Sequence, residues 1–288
     1  MGCEAKEACG IVGIYNVKNA SEHAYLALHA LQHRGQESAG IVVSDGKSVR
    51  SRKGMGLLSN VFSAEDLQRL TGHIAIGHVR YSTAGASKPQ NIQPLVVEYS
   101  EGLLAVALNG NLVNARQLRQ EYESYGSIFQ TSTDSEVIVH LMAKPEHVKC
   151  GNNIAHCLNH VKGSFSLVFL ERNRLIAARD PHGFKPLALG KLGDGWIVAS
   201  ETVAFDQTGA EFVREIEPGE LVTIDEHGPR SEFFADQKDI KPSFCMFEFV
   251  YFARPDSVIF NQTVHTVRRR MGRILAKECP VEADVVLE

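Results

Sequence analysis

"EACGIVGIY", residues 7–15, decides how the chain is read. Cys9 stands directly before an apolar run punctuated by Gly10 and Gly13, so residues 9–17 read as a buried strand. Two roles are open to Cys9 there. It is a small buried hydrophobe, as free cysteines commonly are, or it is a nucleophile. A thiol with an ordinary pKa of about 8.5 is only a few per cent ionised at neutral pH and needs a base. A chain that began at Cys9 would carry one of its own, an α-amine with a pKa of about 7.7–8.0. That requires removal of "MGCEAKEA", residues 1–8. Spacing alone favours the structural role.

The pattern downstream alternates between strands and helices without a regular β-α repeat. "ASEHAYLALHALQHRG" places Ala24, Leu28 and Leu31 on one helical face closed by Gly35, and "AGIVVSDGKSVRSRKG" reads as a hairpin turning at Asp45-Gly46. "SAEDLQRL" is a short helix, "HIAIGHVRYST" a strand entering a polar loop, and "GLLAVALNGNLVN" an apolar strand that meets an Asn-Gly-Asn corner. A helix follows over "ARQLRQEYESYG". Thr133-Asp134-Ser135-Glu136 then forms a capping-box pattern before an apolar helix, and another helix covers about 152–161. Three strand-and-turn units follow up to about residue 234, then a polar linker at 235–243, an aromatic stretch "FCMFEFVYFARPDS", and a helix at about 264–277. The last residues, "VEADVVLE", resemble the start of a buried strand. The expected class is α+β, with sheets packed together and helices outside.

Composition narrows the function. The 288 residues are 44% hydrophobic and 22% charged, ordinary for a globular chain with a sizeable core. A net charge of −4 gives no basic excess for nucleic acid, and the run Arg268-Arg269-Arg270 reads as a solvated helix face. No apolar stretch approaches the roughly 18 residues of a membrane span, and the N-terminus is too short and too charged for a secretory signal. Lys6 stands where a myristoylation motif needs Ser or Thr. The six cysteines are scattered without a C-x-x-C pair, which suits a reducing cytoplasm. Of the twelve histidines, His29, His33, His73, His78 and His182 fall near the motifs, and none has a metal-ligand partner of the H-E-x-x-H kind.

"CGIVGIY", "LQHRGQESAGI", "GHVRYSTAG", "ALNGNLVN" and "TSTDSE" occur in that order. Together they resemble the class II glutamine amidotransferases, which are N-terminal-nucleophile hydrolases. "HRGQESAG", "RDPHGFKPL" and "FEFVYFARPDS" look like the branch of that family that opens purine synthesis with phosphoribosyl pyrophosphate as ammonia acceptor. The resemblance runs from Cys9 to the last residue. It implies a four-layer αββα sandwich over 9–240, a propeptide at 1–8, and at 241–288 a linker with the first elements of an incomplete α/β phosphoribosyltransferase domain. It also implies hydrolysis of glutamine to supply ammonia for 5-phosphoribosylamine, a glycosyltransferase reaction whose transferase half lies outside these residues. The rivals are a sugar-phosphate amidotransferase such as glucosamine-6-phosphate synthase, which usually has Tyr-Asp in place of Gln36-Glu37, and a non-catalytic relative that has kept the fold.

The resemblance assigns roles by position. Cys9 is the nucleophile, and Asn109 with Gly110 forms the oxyanion hole. Read alone, Asn109-Gly110 is equally a type I′ turn. Arg80 clamps the glutamine α-carboxylate, a task suited to a planar fork, and Thr83 adds a hydroxyl donor. Asp134 holds the α-ammonium, or else simply serves a helix start. Arg34 belongs with the glutamine-binding group as a supporting residue, or is a cation at a helix C-terminus. The loop 80–91 closes over glutamine and Tyr81 gates ammonia. Cys245 aligns with one ligand of the four-cysteine iron–sulfur (4Fe-4S) cluster that some members carry. No cofactor is expected within this chain itself; Mg²⁺ and phosphoribosyl pyrophosphate go with the transferase domain. A homo-oligomer, in the cytoplasm, is implied for the full-length protein.

Overall fold

The computed structural model describes residues 9–81, 87–148 and 153–285. Thr83 and the centre of the loop after Arg80 therefore lie outside the described residues, as do the expected propeptide and the last three residues.

Two antiparallel sheets carry the fold. The first consists of β1 (Gly10–Tyr15), β2 (Ser38–Ser44), β3 (Val49–Met55), β4 (Ile74–Arg80), β9 (Ala188–Leu192), β10 (Gly195–Ala199) and β11 (Glu211–Glu215), in the order β11-β9-β10-β1-β4-β2-β3. The second consists of β5 (Leu95–Tyr99), β6 (Gly102–Leu112), β7 (Gly163–Glu171), β8 (Arg174–Arg179), β12 (Glu220–Asp225) and β13 (Gly228–Phe233), in the order β13-β12-β8-β7-β6-β5. Strand β1 is central because it is apolar on both faces. Val12 and Ile14 pack under the outer helices α1 (Ala20–Ala30) and α8 (Val203–Thr208), while Ile11 and Tyr15 face the second sheet. Between α1 and α8, α2 (Leu58–Val61) and α3 (Ala64–Arg69) border the first sheet, and α4 (Ala115–Ser124), α5 (Asp134–Ala143), α6 (Pro145–Val148) and α7 (Asn153–Leu158) belong to the second. Residues of α4, α5 and α7 cover the outer face of β6 and β7. The result is the expected αββα sandwich, each sheet burying one face on helices and one on the other sheet.

Local readings fared unevenly. The Asp45-Gly46 hairpin forms, with Asp45 Oδ1 accepting from the Lys47 and Ser48 N–H groups and Gly46 at φ 84°. The capping box at Thr133 does not. Thr133 Oγ1 is engaged by Thr131 and Ser135, and Glu136 turns back to accept from the N–H groups of Gln130 and Thr131. Those side chains brace the approach to α5 instead of closing its first turn. Residues 280–285 carry no strand, and the rest of "VEADVVLE" lies outside the described residues.

The segment after residue 234 is pinned to the sandwich by backbone bonds: the N–H groups of Lys241, Ser243 and Cys245 donate to the carbonyls of Pro181, His182 and Phe184. It turns at 248–252 and continues through a short hairpin, β14 (Val258–Ile259) with β15 (Gln262–Thr263), into α9 (Val264–Glu278) around a small cluster of Phe249, Ile259, Phe260 and Val264.

Gly13 of β1 faces the second sheet at close range. A Cβ there would stand 2.9 Å from both Leu175 Cδ1 and Val168 Cγ1. Overpacking a tight core costs about 1–3 kcal/mol, so Gly13→Val is expected to lower the midpoint of urea unfolding by that amount at unchanged m-value. Wild-type stability in this variant would show that the two sheets do not meet here.

Candidate active site

Alternation along β1 sends Cys9 and Ile11 to the inter-sheet side, while Gly10 faces Val79 and Leu31. Cys9 is buried, and its thiol donates to the Tyr81 carbonyl at 3.5 Å. Burial pushes the thiol pKa up, against the pull of the Arg80, Arg34 and Lys185 charges. The group is therefore protonated at rest and ionises only with help.

Strand β6 approaches from the second sheet. Ala105 and Ala107 face between the sheets, so Asn109 does too. The turn that Asn109-Gly110 suggests does not form: β6 continues to Leu112, with Asn109 opposite Ser166 and Gly110 opposite Phe165. Gly110 sits at φ 138°, where a Cβ would meet the Ser164 carbonyl oxygen at 2.0 Å, so glycine is required on two counts. The Asn109 amide is fully buried, and among the described residues neither its Nδ2 nor its Oδ1 has a hydrogen-bond partner. An unmade buried hydrogen bond costs about 1–3 kcal/mol and calls for an explanation.

The edge of β6 explains how the site is kept open. Its partner β5 ends at the Leu95–Val106 pair, and side chains then replace the ladder. Gln93 Oε1 accepts from the Leu108 N–H at 2.8 Å, and Asp134 Oδ2 accepts from the Leu112 N–H at 2.7 Å. The Gly110 N–H lies between them along the strand. His78 of β4 contacts the Leu108 carbonyl through Nε2 at 3.1 Å. Burial pushes His78 down to about 3, so the ring is neutral and Nε2–H is the donor. His78 thus ties the first sheet to the second one residue from Asn109.

Arg80 ends β4, buried beside Ser38 of β2, and Gly35 passes so close that a Cβ would stand 2.5 Å from the Arg80 carbonyl carbon. Cys9, Arg80, Tyr81, Gln93, Leu108, Gly110, Thr133 and Asp134 line one cavity. Its volume is about 20 Å³, room for roughly one water. A glutamine side chain enters only if a wall moves, and Tyr81 is the most exposed residue of that wall, with Gly110 and Asp134 partly exposed. Cys9, Arg80, Tyr81, Gly110 and Asp134 are thus brought to one cavity, and Asn109 lies on β6 between two of its lining residues, Leu108 and Gly110. Cys245 is not brought there: it lies on the docked segment, and among the described residues it belongs to no group of three potential metal ligands.

Arg34 corrects its expected place among the glutamine-binding residues. It lies behind Cys9, with four of its five N–H donors engaged. Nε–H donates to the Cys9 carbonyl at 2.9 Å, Nη1 to Glu201 at 2.5 Å and to Glu248 at 3.0 Å, and Nη2 to Glu248 at 3.0 Å. Lys185 stands 3.7 Å from Glu248, and His33 2.9 Å from Glu201. Ser257 Oγ and the Arg254 N–H also donate to Glu201. Arg34 therefore positions the backbone of Cys9. Glu201, Glu248, Lys185 and His78 received no role from the sequence. Lys185 and Glu248 do sit inside "RDPHGFKPL" and "FEFVYFARPDS", so a charged residue within an apolar motif was the available signal.

The glutamine amidotransferase domain family matches residues 78–207, which contain Arg80, Asn109, Gly110 and Asp134. The amidophosphoribosyltransferase of Bacillus subtilis (strain 168) is 47% identical over 281 residues, 97% of this chain and 59% of that protein. Over nearly its whole length the chain is similar to amidophosphoribosyltransferases. The chloroplastic amidophosphoribosyltransferase 2 of Arabidopsis thaliana is 47% identical over 284 residues, 98% of this chain and 50% of that protein. The chain superimposes on the B. subtilis glutamine phosphoribosylpyrophosphate amidotransferase, solved with ADP and GMP, with a TM-score of 0.90 at 45% identity, covering 96% of this chain and 60% of that one. It spans between half and three-fifths of the length of these amidophosphoribosyltransferases.

The buried ion cluster makes an acid-side prediction. Burial opposes ionisation of Glu201, but the Arg34 charge and the bonds from His33 and Ser257 outweigh it, holding the carboxyl at about 2 against an ordinary 4.5. Below about pH 4.5 the unfolded chain takes up a proton that the folded one refuses. The stability this group contributes is complete above that pH and lost as pH falls towards 2. Glu201→Gln is expected to unfold about 3–5 kcal/mol more easily at pH 7, with a flatter decline between pH 4.5 and 2. Urea titrations across that range measure both, and an unchanged acid slope would contradict the assignment.

Proposed function

We propose that the chain hydrolyses glutamine at Cys9 and that the ammonia serves the conversion of phosphoribosyl pyrophosphate to 5-phosphoribosylamine. The reading rests above all on the unpartnered Asn109 amide on the inter-sheet side shared with Cys9. An amide buried without a partner suits a charge that exists only during reaction. In this reading, residues 1–8 are removed and Cys9 becomes the first residue. Its α-amine accepts the thiol proton, directly or through one water. Sγ then bonds to the side-chain amide carbon of glutamine, and the carbonyl electrons move onto oxygen. Asn109 Nδ2 and the Gly110 N–H donate to that oxyanion. As the carbonyl re-forms, the C–N bond breaks and the α-amine returns the proton to the departing ammonia. Water cleaves the γ-glutamyl thioester, yielding glutamate and the free thiol.

Arg80 receives the substrate α-carboxylate and Asp134 its α-ammonium, with Thr83 as an added donor. Tyr81, beside Cys9, gates ammonia. The transfer step belongs to a phosphoribosyltransferase domain that would bring Mg²⁺. Cys245 is proposed as one ligand of a 4Fe-4S cluster assembled with cysteines of the full-length protein. No helix among the described residues is long and apolar enough to cross a membrane. We place the reaction in the cytoplasm, in a homo-oligomer.

Removing one oxyanion donor typically lowers kcat by about 10²–10³-fold. Asn109→Ala is expected to lose that much glutaminase activity in chain beginning at Cys9, with KM nearly unchanged, because the amide contacts the transition state alone. Glutamate release measured in steady state checks it, and full kcat in this variant would remove Asn109 from the chemistry.

A further inference from the structure

"HVKCGNNIAHCLNH", residues 147–160, carries three histidines, the last two spaced four apart. That spacing places His156 and His160 on one side of α7 and its C-terminal extension. The fold returns His147, from α6, to the same spot. The ring centroids are 4.8 Å (His147–His156), 4.9 Å (His147–His160) and 5.2 Å (His156–His160) apart. One nitrogen from each ring lies within 4.8 Å of the others.

The orientation of the buried member is set by a backbone carbonyl. His147 Nδ1 lies 2.8 Å from the Leu141 carbonyl of α5, which only accepts, so Nδ1 carries a hydrogen and the neutral ring presents its lone pair at Nε2. A histidine whose far nitrogen donates to a backbone carbonyl is oriented as metal ligands usually are. Cys157 Sγ contacts that same Nδ1 side at 3.4 Å and Asn153 Oδ1 at 3.3 Å, so it braces the ring from behind. Burial and the neighbouring rings push His160 downwards, favouring the neutral, ligating form.

We propose that His147, His156 and His160 form a site for a divalent transition-metal ion of the Zn²⁺ class, with water in the fourth position. Imidazole nitrogens suit Zn²⁺, and three histidines plus water is an established tetrahedral set. Zn–N bonds of about 2.0–2.1 Å require nitrogens about 3.3 Å apart. The triad must draw in from separations of up to 4.8 Å, and the exposed His160 can swing inward. The ion would join α6 to α7 where both pack on α5, whose first residue is Asp134 at the Cys9 cavity. Its role is a structural clip on the layer that holds the substrate side of the site.

The test uses the full chain stripped with a chelator and titrated with Zn²⁺ alone by calorimetry and thermal melting, and with Co²⁺ by visible absorption. The expected result is one Zn²⁺ per chain, a melting temperature that rises with Zn²⁺, and the visible bands of four-coordinate Co²⁺. His147→Gln is set aside because it also breaks a buried bond. His156→Gln and His160→Gln should each weaken Zn²⁺ binding by about 100-fold while leaving the metal-free melting temperature unchanged. Binding that survives both substitutions, or no binding at millimolar Zn²⁺, would overturn the proposal.

Discussion

The fork of Arg34 is the interaction on which the rest of the site depends. One side chain holds the Cys9 carbonyl through Nε and binds Glu201 and Glu248 through its two terminal nitrogens. Glu201 follows the end of β10, and Glu248 belongs to the segment that leaves the sandwich. The backbone of Cys9 is therefore fixed by the first sheet and by the docked tail together. Burying two carboxylates and two cations is costly, and hydrophobic replacements of such groups are often neutral or stabilising. Placing one carbonyl to within an ångström has a value that packing alone does not supply. This cluster ties the start of β1 to residues more than 200 positions later in the chain.

Around that anchor, the second sheet contributes an edge left deliberately unzipped. Where β5 stops, Gln93, Asp134 and His78 take over the hydrogen bonding of β6, two residues to either side of Gly110. A complete ladder would leave no room for a substrate. A bare edge would be unsatisfied and prone to shift. Side chains as ladder partners resolve both problems, holding the strand straight while Asn109 stays unpartnered.

Much of this was legible before the structure, and the limits have physical causes. The apolar run of β1, the Asp45-Gly46 hairpin and the apolar run of β6 are local patterns, and they read correctly. Thr133 and Glu136 misled because the turn just before the helix offers competing local partners, and both side chains bond there, to Thr131 and to the N–H groups of Gln130 and Thr131. Asn109-Gly110 misled for the opposite reason. The dipeptide favours a turn on its own, but pairing with β7 holds it extended, and only Gly110 tolerates the resulting φ. Glu201 and Glu248 could not be assigned from sequence, since an acid's partner across so many residues is set by the fold. The histidine triad escaped because its third member comes from a different helix.

The account stands or falls on Cys9 as a glutamine-directed nucleophile at the start of the chain. Its most direct measurement is the intact mass and peptide map of the protein after reaction with the glutamine analogue 6-diazo-5-oxo-norleucine. The account predicts a single adduct on Cys9 Sγ, confined to molecules in which Cys9 is the first residue, with labelling suppressed by glutamine. Equal labelling of chain that retains Met1, or an adduct on Cys157, Cys245 or Cys279 in place of Cys9, would contradict it.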